Sequence, residues 1–410
     1  MQDALRFVIV GHVDHGKSTL IGRLLYDTDS LPEDKIEEVR RTCEELGREM
    51  EFGFLMDHLE EERSQGITID TAQTFFKTGK RRYVIIDAPG HKEFLKNMIT
   101  GASQAEAALL IVDASEGVKE QTKRHAYILK MLGLGQVAVL INKMDLVGYS
   151  KERFDKVRED LLAFLGSVGI RSGHTVPVSA RSGDNVAFAS RNMPWYEGPT
   201  VLDALDSFDT IESATHRPLR LPIQDVYKVK DKRILVGRIE AGRVRKGDEV
   251  SFLPQGTIST INSVEIHWKD RTEAEAGECI GITLADPLFV ERGAVACPPS
   301  DRPTITSKIR ANVFWMSRQP FTGEGLVLRI ATQEVRANIQ IEKKVDSSSL
   351  EPITENADRI FETEVAEMTI ETNQPIVVEN FNDIQELGRF VLVRRLDVVA
   401  GGIITCAGAV

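Results

Sequence analysis

Gly11-His12-Val13-Asp14-His15-Gly16-Lys17-Ser18 has the form G-x-x-x-x-G-K-[ST]. An apolar run, Arg6–Val10, precedes it, and a helix-like segment, Lys17–Tyr26, follows. Glycines let the backbone curl so that successive N–H groups face phosphate oxygens, and the helix N-terminus adds a favourable dipole. Lys17 stands where its ammonium neutralises the β- and γ-phosphates, and the Ser18 hydroxyl stands where it ligates Mg²⁺. The run through Thr19 is the expected nucleotide-binding loop. His12 and His15 also form an H-x-x-H pair, but they fill the variable positions of this loop and are read with it, not as a metal site.

Outward from the loop, apolar runs alternate with helix-like stretches. Tyr83–Asp87, Ala107–Asp113, Val137–Asn142 and Thr175–Ser179 read as further strands. Glu93–Gly101, Gln121–Leu132 and Lys151–Val168 read as helices between them. Continuous apolar strands separated by helices predict a mostly parallel sheet covered on both faces, a doubly wound α/β domain over residues 1–210. After a polar connection, Ser207–Pro218, the pattern becomes short strands with turn signals. Leu221–Tyr227, Ile234–Glu240, Asp248–Leu253, Ile258–Ile266 and Cys279–Leu284 predict one β-barrel over 217–302. Lys308–Trp315, Gly325–Ala331, Ala337–Val345, Ala366–Ile370 and Phe390–Val393 predict a second over 303–410.

The strand ends carry the remaining chemistry. Asp87-Ala88-Pro89-Gly90-His91 closes one strand: Asp87 is placed to hold Mg²⁺ through water, and the Gly90 N–H to meet a γ-phosphate. Thr68, in Gly66-Ile67-Thr68-Ile69, is the candidate second hydroxyl on Mg²⁺, and His91 the candidate for orienting the attacking water. Asn142-Lys143-Met144-Asp145 closes another strand, and Ser179-Ala180 the last. A carboxylate at Asp145 can accept from both N1–H and the 2-amino group of guanine, a donor pair that adenine lacks. Asn142 is expected at N7, tying this loop to the phosphate loop; the Lys143 stem covers the ring, and the Ala180 N–H meets O6. The ordered set predicts GTP with Mg²⁺.

Composition narrows the rest. A chain of 410 residues, 42% hydrophobic and 28% charged, can bury several cores. Disordered, collagenous and disulfide-scaffold classes are therefore excluded. No apolar run reaches the ~18 residues that span a bilayer, and Phe7–Val10 leads straight into the phosphate loop, so neither a membrane span nor a signal peptide is expected. Cys43, Cys279, Cys297 and Cys406 lie far apart without a CxxC pair, the pattern of reduced thiols in a cytoplasmic protein. The charge balance, 51 Lys+Arg against 62 Asp+Glu or −11 net, argues against a large nucleic-acid surface but permits a local basic patch.

Gly11–Leu20 (GHVDHGKSTL), Glu62–Asp70 (ERSQGITID), Asp87–His91, Lys96–Ser103 (KNMITGAS), Asn142–Asp145 and Met193–Thr200 (MPWYEGPT) resemble the translation-factor class of GTPases. The resemblance implies a G domain followed by two β-barrels. Two branches of the class are similar: elongation factor 1-alpha, which carries aminoacyl-tRNA, and the GTPase large subunit of bacterial sulfate adenylyltransferase. Gln121–His125 (QTKRH), Asp286–Arg292 (DPLFVER) and Ile309–Pro320 (IRANVFWMSRQP) look more like the second branch. No equivalent of the Cys/His-rich segment of the tRNA-carrying branch stands around Val327–Ile341. The sulfate adenylyltransferase branch implies GTP hydrolysis coupled to the formation of adenosine 5′-phosphosulfate from ATP and sulfate. The adenylyl transfer would sit on a small nucleotidyltransferase subunit as partner, with tRNA not expected.

Other features read more plainly. Lys80-Arg81-Arg82 is expected to be a solvated hairpin turn, and Glu33–Glu51 an acidic, helix-like region that forms a solvated, mobile face near the γ-phosphate sensor. Trp195 and Tyr196 are expected to pack on the body of the first domain, and Trp315 and Phe321 in a barrel core or partner interface.

Overall fold

The computed structural model describes residues 4–31, 33–45, 52, 72–87, 105–209, 214–229, 232–266, 269–346, 351–355, 358–381 and 383–407. Thr68, Gly90 and His91 lie outside the described residues, as does the helix expected over Glu93–Gly101.

The first compact unit covers Met1–Thr210. Its strands are β1 (Leu5–Gly11), β2 (Ala72–Lys77), β3 (Arg82–Asp87), β4 (Ala107–Asp113), β5 (Gln136–Asn142) and β6 (Ser172–Pro177). They form one sheet in the order β2-β3-β1-β4-β5-β6. β1, β3, β4, β5 and β6 run parallel, and β2 is an antiparallel edge paired only with β3. Every residue of β4 is buried, as its uninterrupted apolar run requires of a central strand with both faces covered. The helices are α1 (Lys17–Asp27), α2 (Glu33–Glu45), α3 (Glu120–Met131), α4 (Lys151–Ser167) and α5 (Val201–Ser207). Leu20, Ile21, Leu24 and Leu25 of α1 join Phe7, Ile9, Leu109, Ile111 and Leu140 in the sheet's core.

Two elements differ from the expectation. β2 carries exposed Gln73 and Phe75 and escapes a search for continuous apolar runs, because an edge strand buries only one face. Over residues 33–45 the helix-like segment is a helix, but it is not wholly solvated: its Val39 and Cys43 pack with Phe52. Its charged residues hide an apolar stripe at four-residue spacing.

The basic turn is not simply solvated either. Arg81 donates to the carbonyls of Leu205 and Asp206 at 2.9 Å each and also to that of Phe208. Lys80 reaches the Asp206 carbonyl at 2.5 Å. The cluster caps the C-terminal end of α5, where unpaired carbonyls and the helix dipole favour cations.

The second compact unit covers Ile211–Asp346 and Leu350–Val410 and holds two closed barrels. In the first, Glu249–Leu253, Val295–Cys297, Leu221–Val229, Lys232–Arg238, Cys279–Leu284 and Thr257–Ile266 pair in that order. Closure comes from Thr257–Ile266 returning to Glu249–Leu253. In the second, Thr304–Trp315, Glu364–Val378, Gln333–Asp346, Leu326–Ile330, Arg389–Arg394 and Asp397–Ala407 close in turn. Trp315 and Phe321 lie in this barrel's core.

The strand Asp397–Ala407 was not anticipated, because Gly401-Gly402 reads as a turn. A Cβ at Gly402 would lie 2.6 Å from the Phe390 ring, so the glycine makes room for the aromatic side chain across the strand pair. The barrels share an apolar cluster in which Ala241, Leu253, Val295 and Cys297 meet Val377, Ile384 and Leu387. None of the four cysteines forms a disulfide, and among the described residues no helix is long and apolar enough to cross a membrane.

Candidate functional site

The described site residues converge at the C-terminal ends of the parallel strands, where an open α/β sheet binds its ligands. Gly11 ends β1 beside Ile111 of β4, and a Cβ there would come within 2.5 Å of the Ile111 side chain and carbonyl. The loop then turns through Asp14 (φ 62°) and Gly16 (φ 92°), both in the left-handed region, before α1 begins at Lys17. At Gly16 any side chain would collide with Asn142 Nδ2 at 2.5 Å. This glycine is demanded by conformation and by space together.

Lys17 is buried, and its ammonium donates to the carbonyls of Gly11 at 2.9 Å and His12 at 3.2 Å. Burial lowers it to about 8, against the opposing pull of Asp87 and Asp14. The amine is thus folded back along its own loop, beside two carboxylates, at the place the motif assigns to the β/γ-phosphates. Ser18 follows it in the first turn of α1, and buried Asp87 ends β3. A hydroxyl and a carboxylate are the hard oxygen donors Mg²⁺ takes when phosphates complete its shell.

The two loop histidines pack against each other. His15 is buried with Nδ1 3.3 Å from the Ile111 carbonyl, and burial lowers its pKa. Its ring stacks edge-on with His12 at 5.2 Å. Beneath them, Gln121, Thr122 and His125 of α3 are buried. Both His125 nitrogens lack a hydrogen-bond partner, and burial and nearby Lys17 push the ring well below its ordinary pKa.

Asn142 joins the loops. Its Nδ2 donates to the His15 carbonyl at 2.8 Å, and its Oδ1 accepts the Ala180 N–H at 3.0 Å. The tie from base loop to phosphate loop is as the motif implies. The Ala180 N–H, expected at guanine O6, is here engaged by Asn142 instead. Ser179, fully buried, donates its hydroxyl to Asp145 Oδ1 at 2.7 Å, leaving the second carboxylate oxygen of Asp145 for a ligand.

Lys143 (φ 60°) pairs with Asp113 Oδ2 at 2.8 Å. Burial pushes the Asp113 carboxyl up, but the hydrogen bonds from Lys143 and Ser115 outweigh it and hold the group below the carboxylate range. Asp113 thereby fixes the Lys143 side chain, whose stem is the one expected to cover the base. Sequence reasoning noted it only as a strand end. The register Asp113↔Asn142, which sets it beside the base loop, is a property of the sheet.

Family models match the whole described architecture. Residues 2–211 match the elongation factor Tu GTP binding domain, 232–297 elongation factor Tu domain 2, and 308–405 the GTP-eEF1A C-terminal domain-like family. The chain belongs to the translation-factor GTPases of the elongation factor Tu type: a P-loop GTPase domain followed by two β-barrel domains. Within that class it is similar to elongation factor 1-alpha. The Natronomonas pharaonis protein is 40% identical over 403 residues, 96% of each chain. That of Thermoplasma acidophilum is 39% identical over 409 residues, 97% of this chain and 96% of its own. That of Thermococcus onnurineus is 40% identical over 415 residues, 98% and 97% respectively.

These matches overturn the assignment to sulfate adenylyltransferase and, with it, the small nucleotidyltransferase partner. Parts of the marker segments serve packing, although Phe289 in Asp286–Arg292 is exposed. Gln121 and His125 are buried in α3, and Ile309–Trp315 lines the second barrel, with Trp315 Nε1 donating to the Gln319 carbonyl at 2.9 Å. In Asp286–Arg292, Asp286 accepts the Ser259 hydroxyl at 2.8 Å and Val290 fills the first barrel's core.

Proposed function

We propose that this chain is a GTP-dependent carrier of aminoacyl-tRNA to the ribosome, a factor of the elongation factor 1-alpha kind. The observation that carries the reading is its similarity to proteins of that name, 37–40% identical over nearly the whole length of both partners. Residues 1–210 would bind and hydrolyse the nucleotide, and the barrels at 217–302 and 303–410 would present the surface that tRNA meets. The net charge of −11 does not oppose this, because phosphate binding needs only a local cluster of cations.

In the nucleotide site, backbone N–H groups of Gly11 to Thr19 cradle the phosphates. Lys17 leaves its two carbonyl partners to neutralise the β- and γ-oxygens. Ser18 and Asp87, with Thr68 outside the described residues, would hold Mg²⁺, which draws charge from the phosphates when bound. Asp145 reads guanine through its remaining oxygen, and Lys143, held by Asp113, covers the ring. Gly90 and His91 would sense the γ-phosphate and orient water.

The test is aminoacyl-tRNA binding by the purified chain loaded with GDP or with a non-hydrolysable GTP analogue. The GTP-like form should bind at least ~10-fold more tightly, since only a ligand that distinguishes the two states can switch them. Lys17→Ala should lose both nucleotide and tRNA binding. Equal or absent tRNA binding in both loaded forms overturns the reading.

A further inference from the structure

The base pocket lies between two loops that leave different strands: Asn142–Tyr149 after β5, and the segment from Ser179 to Asn192 after β6. Nothing covalent fixes their spacing, and two bonds, Ser179 Oγ to Asp145 and the Ala180 N–H to Asn142 Oδ1, have been described between them. A second set of contacts lies further out. Asp184 stands opposite Ser179 in a two-way backbone bridge, the Ser179 N–H donating to the Asp184 carbonyl at 3.2 Å and the Asp184 N–H to the Ser179 carbonyl at 3.1 Å. Its carboxylate gathers the Ser190 hydroxyl at 2.5 Å, Asn192 Nδ2 at 3.2 Å and the Tyr149 hydroxyl at 3.2 Å.

Tyr149 is held just as firmly at its end. Its N–H donates to the Met144 carbonyl at 2.8 Å, and its own carbonyl accepts Trp195 Nε1 at 3.0 Å. Its φ of 56° is a left-handed conformation that an aromatic residue adopts only when its surroundings impose it. Trp195 is itself anchored against Phe154 of α4, ring to ring at 5.3 Å.

We infer that Tyr149 and Asp184 form a brace across the guanine pocket, positioning the Asp145 loop against the Ser179 loop and thereby setting discrimination for the 2-amino group of the base. This rests on the guanine reading of Asp145. A carboxylate that must meet two donors at once tolerates little displacement, whereas the phosphate contacts of Gly11–Ser18 come from another loop. Loosening the brace therefore costs base selectivity before it costs phosphate binding. Tyr149 and Asp184 are positioning residues; neither is assigned a contact with the nucleotide.

The experiment measures affinities for GTP and for inosine triphosphate, which lacks the 2-amino group. Tyr149→Phe removes one oxygen and keeps the ring, so it preserves the packing with little effect on folding. It should lower the GTP-to-inosine-triphosphate preference by about 3–10-fold, part of what one hydrogen bond to a carboxylate contributes, with affinity for inosine triphosphate nearly unchanged. Asp184→Ala should lower it at least as much, and the double variant no further than Asp184→Ala alone. Asp145→Asn is the companion measurement and should shift preference from GTP to xanthosine triphosphate. If it does so while Tyr149→Phe keeps the parental ratio, the brace is overturned and the guanine reading stands. If Asp145→Asn leaves GTP preference unchanged, the reading and the brace fall together.

Discussion

Lys17 shows what a motif conceals about its own residue. The sequence announces an ammonium for phosphates; the fold buries it against two backbone carbonyls and lowers it to about 8 from 10.5. Triphosphate binding needs the charged form, so affinity for GTP should be flat up to pH 8. Above that it should fall, approaching tenfold per pH unit as the free amine loses its proton. The sign follows from the free protein's lowered value: an unburied lysine would hold its charge up to about pH 10.5. Titrating GTP binding between pH 7 and 9 reads this directly, and constant affinity to pH 9 would exclude burial as the controlling factor. Asn142, Asp145 and Ser179 were legible because the order of motifs at strand ends names them. Asp113, Tyr149 and Asp184 were not. Tyr149 and Asp184 are 35 positions apart, and no local pattern records which of two distant loops a side chain will reach.

At the level of elements, α5 shows one terminus written locally and the other supplied from elsewhere. Thr200 and Asp203 form a capping box, the threonine hydroxyl accepting the Asp203 N–H at 3.2 Å while the aspartate accepts the Thr200 N–H at 3.0 Å. That end can be read from four consecutive residues. The C-terminal end takes its donors from Lys80 and Arg81, more than a hundred residues earlier in the chain. Tyr83 adds a hydroxyl to the Asp206 carboxylate. Arg81→Ala should destabilise the first unit by about 1–3 kcal/mol, the range for hydrogen bonds from a charged donor, and lower its Tm by several degrees. An unaltered melting curve would return the cluster to the solvated turn that its composition suggests. The same contrast runs through the strands. β4 was visible as a wholly apolar run, but β2 at the sheet edge and Asp397–Ala407 with its paired glycines were not, because both owe their conformation to a neighbouring strand.

Across the second unit, the two barrels meet through apolar side chains and a guarded set of charges. Arg220, almost wholly buried, binds Asp301 and Glu379 at 2.7 Å each. Glu240 is raised to about 7 by burial and by Glu386 of the facing barrel, with Arg238 and Arg389 opposing the shift. A carboxyl raised in the folded state holds its proton after the unfolded chain has released it near 4.5. The stability it contributes is therefore full below pH 4.5 and is lost as pH rises to about 7, with no further loss above. Glu240→Gln should flatten this segment of the profile, so that Tm between pH 5 and pH 8 falls by less in the variant than in the parent. An identical pH slope in the two proteins would show that Glu240 ionises freely at the seam.

By itself the sequence determined the phosphate loop, the base-reading loop, the parallel sheet and the succession of one α/β domain and two barrels. Each of these is carried by residues close together or by a repeating period, so local chemistry suffices to name it. Partner choice was misread because buried segments such as Gln121–His125 and Ile309–Trp315 were taken as functional marks. Only the tertiary structure decided that Asp113 holds Lys143, that Asn142 spends its oxygen on Ala180, and that Tyr149 meets Asp184. Those contacts exist because sheet register and loop packing bring distant residues within hydrogen-bond reach, and burial then makes each unmade bond costly enough to select a single arrangement.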